Sequence, residues 1–259
     1  VRPEAATMKL RLLASLGTTR ALLGGLGAAR VAPLPRRMVA VNFWSGLAGG
    51  LTVKKEIDYQ GLAGLPASFA KEAGEYALRG EVPTESKDGY SVATFGLGCF
   101  WGGELLFQRV EGVVATCVGY VMGDVEKPTY DEVCSASTGH TEGIQLIYDP
   151  NVVSYETLCD VFWRHLGASA TKYHQVGNDR GPQYRHGIYT HTADQLEVAK
   201  RTFDERQATV NQPIQTEVEP VAVFWPAEEY HQQYLEKGGR FGTPQSAEKG
   251  ATETIRCYG

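Results

Sequence analysis

The chain has 259 residues, of which 42% are apolar and 21% are charged, and this composition is typical of a folded globular protein. Its formal net charge of −5 argues against nucleic acid as a partner, because a nucleic-acid-binding surface requires a basic excess. No apolar run approaches the roughly 18 residues that a membrane-spanning helix needs, so we expect no membrane partner. The length accommodates one large domain, with or without an appendage.

The charge is distributed unevenly along the chain. Residues 1–40 contain seven Lys or Arg against one acidic residue, which gives this segment +6 and leaves −11 for residues 41–259. A basic segment that is nearly free of acidic residues and contains short apolar runs is typical of an organellar transit peptide. The competing interpretation is a secretory signal built on the apolar run 21–29, although Arg20 and Arg30 bracket that run. We therefore predict a transit peptide over residues 1–40, and a cytoplasmic protein if this segment is not one.

The cysteine pattern argues against several familiar kinds of site. The chain has five cysteines and no CxxC pair, so zinc ribbons, iron–sulfur clusters and a thioredoxin-type motif are unsupported. An odd number of cysteines in a chain of this size is also a poor disulfide framework. Cys159 lies on an apolar helix stripe and Cys117 in a predicted strand, and we predict that these two and Cys134 are buried core residues. His186 and His191 lack a third ligand nearby, so we predict no metal site.

Secondary structure is predicted in chain order from the hydrophobic periodicity and the capping residues. Residues 41–90 have no sustained period, and we interpret them as a linker or an N-terminal extension. The β-α-β-β-α-β order that follows predicts an α+β fold: a two-layer α/β plait of the ferredoxin-like type, with a mixed sheet, helices packed on one face and a long irregular C-terminal tail. A doubly wound parallel sheet is the alternative. The predicted strands are 91–97, 113–120, 144–148, 184–189 and 217–224, with helices after Gly98, Ser154 and Thr192 and a short helix over 227–235.

The most informative segment is 96–104, which reads Gly-Leu-Gly-Cys-Phe-Trp-Gly-Gly-Glu. A dinucleotide-binding loop would need a glycine at position 101, where a tryptophan stands, so this interpretation is weak. The segment instead places Cys99 between a predicted strand and a predicted helix, where free N–H groups and the helix dipole lower the pKa of a thiol. We interpret Cys99 as a nucleophile, with Phe100 and Trp101 as apolar faces beside the sulfur. The alternative is a buried cysteine that packs as a small apolar side chain.

Residues 98–104 resemble the signature of the type A peptide-methionine sulfoxide reductases, which reduce the S epimer of methionine sulfoxide. Four further segments are similar to the family in the same order, and they extend the resemblance over about residues 91–240. The resemblance implies a catalytic domain over residues 91–259 that ends in a resolving tail at about 238–259. The ending 255–259 resembles plant members, which implies a chloroplast more than a mitochondrion as the destination. The four segments are Pro128–Cys134, Thr138–Glu142, Gly177–Asp179 with Gln183–Arg185, and Tyr230–Tyr234.

The resemblance also assigns roles to individual residues. It implies that Cys99 attacks the sulfoxide sulfur and that Phe100 and Trp101 seat the S-methyl group. Glu142 matches the family carboxyl that binds or protonates the sulfoxide oxygen, a role that needs a raised pKa. Glu104 is closer in sequence, but a glutamate near the start of a helix more often serves the helix dipole. The remaining matches are Tyr130 and Tyr184 as hydroxyls that polarise the oxygen, Asp179 as a carboxylate that orders the site, and Tyr234 as a substrate-binding residue.

The tail departs from the family pattern. Many members carry a resolving Gly-Tyr-Cys soon after the Tyr-His-Gln segment, whereas residues 238–243 contain no cysteine, and Ala251 stands where plant members have a second tail cysteine. We therefore predict that Cys257, at the end of a mobile tail, forms one disulfide with Cys99 and that a thioredoxin or glutaredoxin reduces it directly. The resemblance implies no metal or organic cofactor, and a monomer that acts on oxidised proteins or free methionine sulfoxide.

Three other functions are compatible with parts of the pattern. A thiol peroxidase would use the same reactive cysteine and pass through the same sulfenic acid. His140 beside Glu142 suggests a Cys–His hydrolase, although no Asn or Asp orienter is identifiable for it. An interaction module would use Phe100 and Trp101 to bind methionine-rich segments without chemistry, and such binding would survive the loss of Cys99.

Overall fold

Five α-helices and eight strands form within the described part of the chain, which in this computed structural model comprises residues 56–62 and 68–257. The predicted transit peptide, residues 1–40, lies outside the described residues. The helices are α1 (Ala70–Arg79), α2 (Phe100–Gln108), α3 (Tyr130–Cys134), α4 (Tyr155–Leu166) and α5 (Ala193–Gln207). The strands are β1 (Ser91–Leu97), β2 (Val113–Val121), β3 (Thr141–Tyr148), β4 (Gln175–Val176), β5 (Asp179–Arg180), β6 (His186–Thr190), β7 (Glu217–Pro220) and β8 (Trp225–Pro226).

Six of the strands form one mixed sheet in the order β7-β6-β1-β3-β2-β8, and β4 and β5 form a separate pair. All neighbours in the large sheet are antiparallel except β6 and β7, which run parallel. The prediction of an α+β fold with a mixed sheet is confirmed. The doubly wound alternative is wrong, because its central strands would run parallel. The register places Glu142 of β3 opposite Tyr120 of β2, at the end of the sheet where β1 leads into α2.

Helices α2 and α4 pack on one face of the sheet. Ser154 caps α4 as predicted, because its side chain accepts a hydrogen bond from the Thr157 N–H at 3.1 Å. Phe162 of α4 contacts Phe95 of β1 with ring centroids 5.7 Å apart, and Phe95 stacks on Phe107 of α2 at 4.9 Å. This aromatic cluster fixes α2, and therefore the residue at its N-terminal end, against the sheet.

The opposite face of the sheet is covered as well, which differs from the predicted two-layer arrangement. Helix α1 packs there against β2 and β8, and Tyr59 contacts Trp225 with ring centroids 5.6 Å apart. The described residues before β1 thus include a helix that packs on the sheet. The buried face of α1 consists of small residues that recur at helical spacing, a period that the interpretation of residues 41–90 overlooks. These residues are Ala70, Ala73, Gly74 and Ala77.

The chain after β7 differs most from the sequence prediction. The strand predicted over 217–224 stops after 4 residues, and the helix predicted over 227–235 contains only the 3-10 turn Glu229–His231. The reason is Gln232, whose buried side-chain amide accepts the Val118 N–H at 3.0 Å and donates to the Val118 carbonyl at 2.9 Å. These bonds extend the edge of the sheet beside β2 and hold Gln232 in an extended backbone conformation, which ends the helical turn.

Residues 227–257 contain 3-10 turns but no α-helix or strand, so the irregular tail, predicted from about residue 238, begins earlier than expected. The tail returns over the domain and ends with Cys257 in hydrogen-bond contact with Cys99. Within residues 56–62 and 68–257, no helix combines the length and the apolar character needed to cross a membrane.

Candidate active site

A pocket of about 250 Å³ opens at the N-terminal end of α2. It is smaller than the roughly 300–1,000 Å³ typical of sites for drug-sized ligands, so it fits a single side chain better than a large cofactor. A larger groove of about 670 Å³ lies between β2 and the tail, but no cysteine lines it, and we therefore place the chemistry in the smaller pocket. The sequence predicts every residue of the smaller pocket wall except Arg240. The wall consists of Cys99, Phe100, Trp101, Tyr130, Glu142, Tyr184, Tyr234 and Arg240.

Cys99 is the residue immediately before the first turn of α2, as the sequence predicts. The preceding Gly98 has a φ of +84°, and a Cβ there would lie 2.6 Å from the Cβ of Val176, so only glycine fits this turn. The backbone N–H of Trp101 hydrogen-bonds to the Cys99 sulfur and lowers the pKa of the thiol. The local geometry thus presents the free end of a helix to a thiolate on Cys99.

A second thiol contacts Cys99 in this structure. The hydrogen bond with Cys257 raises the pKa of the Cys99 thiol, and burial and the nearby Glu142 carboxyl raise it further. The same hydrogen bond lowers the pKa of Cys257, so the first proton leaves the pair from Cys257 and the second stays on Cys99. The lowered pKa that the sequence predicts for Cys99 is therefore wrong while Cys257 is docked. The neighbouring sulfur and burial outweigh the helix dipole.

Glu142 lies on β3, is 2% exposed and lines the pocket. Its Oε2 accepts the Phe100 N–H at 3.0 Å. Burial raises the pKa of Glu142 to about 8; the Phe100 N–H opposes this shift and the charge of Asp179 adds to it. A carboxyl with this pKa is mostly protonated at neutral pH and can donate a proton into the pocket.

Glu104 is a second buried carboxyl, but it is not part of the pocket wall. It accepts the Gln233 N–H at 2.7 Å and the Thr116 hydroxyl at 3.0 Å. Burial raises the pKa of Glu104 to about 8, and these two hydrogen bonds oppose the shift. Glu104 therefore joins α2 to β2 and to the tail, and it does not serve the helix dipole as the sequence suggests. Of these two carboxyls, only Glu142 reaches the pocket.

The wall beside the thiol is aromatic. Trp101 stacks on Tyr234 with ring centroids 4.0 Å apart, and its indole N–H donates to His231 Nδ1 at 3.0 Å. His231 is fully buried next to Phe100 and Tyr130, and burial lowers its pKa to about 3. A neutral imidazole that accepts on Nδ1 fixes the Trp101 ring without placing a charge behind the apolar wall. The sequence does not single out His231, although it lies in a segment that resembles the family.

Two tyrosine hydroxyls border the pocket. Tyr130 begins α3, and its backbone N–H donates to Glu228 at 2.9 Å, while Glu228 also accepts the Tyr120 hydroxyl at 2.8 Å. Tyr184 ends a 3-10 turn before β6. Burial raises the pKa of both Tyr130 and Tyr184, so both side chains stay protonated at neutral pH and can donate hydrogen bonds.

One cysteine differs from its prediction. Cys117 and Cys159 are buried as predicted, but Cys134 is exposed at the end of α3, and its thiol hydrogen-bonds to the Tyr130 hydroxyl. The short helix α3 buries only Val133, so its last residue lies at the surface. Cys134 is therefore a third thiol close to the pocket.

Two of the predicted site residues, Asp179 and Cys257, lie outside the pocket wall. Cys257 reaches the site through its hydrogen bond to Cys99. Asp179 lies on β5, and its negative charge adds to the rise in the pKa of Glu142 that burial causes and opposes the lowering of the pKa of Cys257 by its hydrogen bond to Cys99. Asp179 thus acts on the site through its charge, and it favours the protonated form of Glu142.

His140, which suggests a Cys–His hydrolase in the sequence, does not line the pocket. It is 2% exposed, and its Nε2 lies 2.8 Å from the Val125 carbonyl oxygen. The hydrolase interpretation is wrong, because a base must reach the nucleophile. His186 is likewise bound elsewhere, to the Thr216 hydroxyl at 2.8 Å. Across residues 56–62 and 68–257, no group of three or more His, Cys, Asp or Glu side chains is arranged to hold a metal ion.

The site combines a thiol at a helix N-terminus, a second thiol in contact with it and a buried carboxyl that is protonated at neutral pH. This combination defines a thiol-dependent oxidoreductase. The family model described as peptide methionine sulfoxide reductase matches residues 91–255, and the chain belongs to that family.

Individual relatives agree with this family. A peptide methionine sulfoxide reductase of Brassica napus is 52% identical over 171 residues, which cover 66% of this chain and 66% of that protein. Peptide methionine sulfoxide reductase A4, chloroplastic, of Arabidopsis thaliana is 45% identical over 200 residues, which cover 77% of this chain and 76% of that protein. Among solved structures, Mxr1 from Saccharomyces cerevisiae in reduced form has a TM-score of 0.56 at 32% identity, over 60% of this chain and 88% of that chain. Methionine sulfoxide reductase A of Corynebacterium diphtheriae has a TM-score of 0.52 at 34% identity, over 57% of this chain and 74% of that chain.

Proposed function

We propose that this protein reduces the S epimer of methionine sulfoxide, free or within proteins, to methionine, with Cys99 as the nucleophile. The observation that carries the proposal is that one pocket contains the Cys99 thiol, the Glu142 carboxyl and the face of Trp101. Sulfoxide reduction needs a nucleophile for the sulfur, an acid for the oxygen and an apolar seat for the S-methyl group. The pKa of Glu142, about 8, supports its role as the acid.

The first step transfers oxygen from the substrate to the enzyme. The Cys99 thiolate attacks the sulfoxide sulfur and forms a transient bond to it, and Glu142 donates a proton to the sulfoxide oxygen. The hydroxyl group then passes to the Cys99 sulfur: its bond to the substrate sulfur breaks, an S–O bond to Cys99 forms, and the bond between the two sulfurs breaks with its electron pair left on the substrate sulfur. The products are a thioether, which is methionine, and a sulfenic acid on Cys99; the substrate sulfur is reduced and the Cys99 sulfur is oxidised by the same two electrons. Tyr130 and Tyr184 donate hydrogen bonds to the oxygen and stabilise the negative charge that develops on it.

The thiolate becomes available when Cys257 leaves Cys99. The hydrogen bond between the two sulfurs raises the pKa of Cys99, so its loss on substrate binding removes the largest cause of that shift. The backbone N–H of Trp101 then lowers the pKa of Cys99, opposed only by burial and by the Glu142 carboxyl. Substrate entry and activation of the nucleophile are coupled in this way.

The second step regenerates the enzyme. The Cys257 thiol attacks the sulfur of the Cys99 sulfenic acid, water leaves, and a disulfide forms. A dithiol of the thioredoxin or glutaredoxin type then reduces this disulfide and restores both thiols. Contact between Cys99 and Cys257 supports the pairing, and neither step uses a metal or an organic cofactor.

The fold, the domain and the destination of the protein follow the same proposal. The strand order β6-β1-β3-β2, with α2 and α4 as connections, supports a ferredoxin-like plait as the core of the catalytic domain, residues 91–259. The oligomeric state that we propose is a monomer. A chloroplast destination is supported by the basic residues 1–40 and by the Arabidopsis thaliana relative that is named chloroplastic. Size-exclusion chromatography and import of the chain into isolated chloroplasts test these two assignments.

Mass spectrometry of the reduced protein after one equivalent of each sulfoxide epimer tests the reaction. We expect methionine from the S epimer only, and a protein that has lost two hydrogen atoms through a Cys99–Cys257 disulfide. Cys99→Ala should form no methionine, whereas Cys134→Ser, which removes the exposed thiol near the pocket, should react like the wild type. Equal consumption of both epimers or full activity of Cys99→Ala contradicts the proposal. Turnover of hydroperoxides without sulfoxide reduction would make the protein a thiol peroxidase.

A further inference from the structure

The tail binds the C-terminal end of α2, at the opposite end of the helix from Cys99. The last carbonyl groups of an α-helix have no partner within the helix. Here the Lys249 ammonium donates to the Gln108 carbonyl at 2.7 Å and to the Val113 carbonyl at 2.6 Å, and the Gly250 N–H donates to the Arg109 carbonyl at 2.8 Å. A cation at this end of the helix also complements the helix dipole.

The Arg109 side chain binds the tail as well. Arginine side chains are seldom buried, yet Arg109 is only 8% exposed. Its Nε donates to the Ser246 carbonyl at 2.9 Å and its Nη1 donates to the Glu253 carbonyl at 2.6 Å. The Glu253 carboxylate lies 3.8 Å from Nη2. A planar guanidinium with donors in fixed directions therefore holds two separate points of the tail.

The tail meets the helix again at Gly102, one turn from Cys99. A Cβ at Gly102 would lie 2.5 Å from the Cys257 Sγ and 3.8 Å from the Ile255 side chain. Because glycine has no Cβ, the Cys257 sulfur can rest directly on the helix at this position. The end of the tail therefore lies on α2 next to the nucleophile.

The length of tail between these two contacts matches the helix. From Arg109 back to Gly102 the helix rises about 10.5 Å, at about 1.5 Å per residue. From Glu253 to Cys257 the chain spans at most about 14 Å when fully extended, at about 3.5 Å per residue. Four residues of tail are therefore long enough to connect the two contacts, and short enough that Cys257 cannot move far from Gly102 while Glu253 stays bound to Arg109.

We propose that Arg109 is a positioning residue for the resolving step: it fixes the tail on α2 so that Cys257, displaced by the substrate, stays near Cys99 and returns to it as soon as the sulfenic acid forms. This inference rests on the proposed function, in which Cys257 resolves Cys99. In the resolving step the Cys257 thiolate attacks the Cys99 sulfur, the S–O bond of the sulfenic acid breaks, and the departing hydroxide takes up a proton to form water. The sulfenic acid, formed from the sulfoxide, is the oxidant. Arg109 contacts neither sulfur and acts through the effective concentration of Cys257.

Arg109→Gln tests this role, because it removes the guanidinium that binds Ser246 and Glu253. In a rapid-mixing experiment with one equivalent of the S-sulfoxide, we expect methionine to form at least as fast as in the wild type, because a looser tail leaves Cys99 more readily. We expect the Cys99–Cys257 disulfide to form about tenfold more slowly or slower still, since the tail then samples many positions. A 1,3-diketone that labels sulfenic acids should capture Cys99 in the variant and much less of it in the wild type.

Arg206→Gln is the matched control for the loss of an arginine. Arg206 also donates to a backbone carbonyl, that of Gly167 at 2.9 Å, but this carbonyl is not part of the tail. We expect the Cys99–Cys257 disulfide of the Arg206→Gln variant to form at the wild-type rate. Gly102→Ala perturbs the other end of the contact, because its methyl group occupies the position of the Cys257 sulfur, and it should also slow disulfide formation.

A second readout needs no sulfoxide: the equilibrium constant of the Cys99–Cys257 disulfide in glutathione buffers. The lower effective concentration predicts a disulfide about tenfold less stable in Arg109→Gln and an unchanged one in Arg206→Gln. Wild-type rate and equilibrium in Arg109→Gln overturn the positioning role. Equal losses in the rates of methionine formation and disulfide formation also overturn it, because they would show that Arg109 stabilises the fold as a whole. If the wild type forms no methionine, the proposed function fails, and the glutathione equilibrium still decides the role of Arg109.

Discussion

Glu142→Gln isolates the contribution of one proton to the reaction. The Glu142 carboxyl is 2% exposed and has a pKa of about 8, against an ordinary value of 4.5. The difference of about 3.5 pKa units corresponds to about 5 kcal/mol that opposes ionisation of Glu142 in the folded protein. Glutamine has nearly the same shape and still donates a hydrogen bond to the sulfoxide oxygen, but it cannot deliver a proton.

The pKa of Glu142 determines how the reductase activity changes with pH. A group with a pKa of about 8 is about 90% protonated at pH 7 and about 10% protonated at pH 9, so the wild-type rate should decline through pH 8. Loss of a general acid typically slows a reaction by about 10²- to 10⁴-fold, which is the decrease we expect for Glu142→Gln at pH 7. The variant should also lack the decline near pH 8. Methionine release from one equivalent of the S-sulfoxide, measured at a series of pH values, provides the profile.

The same pKa predicts how the stability of the protein changes with pH. Folding raises the pKa of Glu142 from 4.5 to about 8, so between these values the folded protein holds a proton that the unfolded chain has released. The free energy of unfolding therefore falls as the pH rises through this range, and Glu142 accounts for a decrease of up to about 5 kcal/mol. Glu142→Gln should remove this part of the pH dependence, as measured by denaturant unfolding.

Glu104→Gln is the matched control, because Glu104 is a buried carboxyl with a pKa of about 8 that does not line the pocket. It should weaken the pH dependence of stability in the same range and leave the decline of activity near pH 8 in place. Two results refute the assignment of Glu142 as the proton donor. One is a decline near pH 8 that persists in Glu142→Gln, and the other is a decline that disappears in Glu104→Gln.

Three further predictions concern the pocket wall and the core. Trp101→Phe keeps an apolar face but loses the indole N–H that donates to His231, so the KM for the sulfoxide should rise several-fold in steady-state assays. An unchanged KM would show that the hydrogen bond to His231 does not orient the ring for substrate binding. Phe162→Ala removes a fully buried ring and should lower the free energy of unfolding by about 3–5 kcal/mol in denaturant titrations. Arg240→Gln removes the cation of the pocket wall and should lower kcat/KM for sulfoxides with a carboxylate near the sulfur, but not for a neutral amide. Lys237 lies outside the pocket wall, so Lys237→Gln should leave kcat/KM unchanged for both kinds of sulfoxide.

The elements that the sequence predicts well are those whose residues form their contacts within one short segment. Ser154 and the apolar stripe after it specify α4, because the cap and the buried face are both local. Helix α1 carries a helical period as well, but its buried residues are Ala and Gly, and no large apolar side chain marks its buried face. A Cβ at Gly74 would lie 2.6 Å from the Tyr59 carbonyl oxygen, so close packing here requires glycine, and glycine carries no hydrophobic signal. The backbone after β8 likewise depends on Gln232, whose partner Val118 is distant in sequence.

The predicted site residues occur in short motifs that the chemistry restricts to particular residue types, and the structure places most of them in one pocket. Arg240 has no such signal, because a cation in a glycine-rich loop is common at any surface. The exposure of Cys134 depends on how short α3 is, and the sequence pattern does not reveal this length. Site residues that act through tertiary contacts, such as His231 behind Trp101, require the fold to be known first.

The pKa of Cys99 shows most clearly why local sequence is not enough. Residues 96–104 specify a thiol at the start of a helix, and that feature alone lowers the thiol pKa. The structure adds Cys257, which raises the pKa of Cys99 through their hydrogen bond, and its approach depends on Arg109 at the other end of α2. The two ends of one helix therefore control the reactivity of Cys99 in opposite directions: the N-terminal end favours the thiolate, and the C-terminal end holds the group that suppresses it. In the proposed function the same group resolves the sulfenic acid, so a tail bound too weakly would slow resolution, and a tail bound too tightly would keep Cys99 protonated and slow the attack on the sulfoxide.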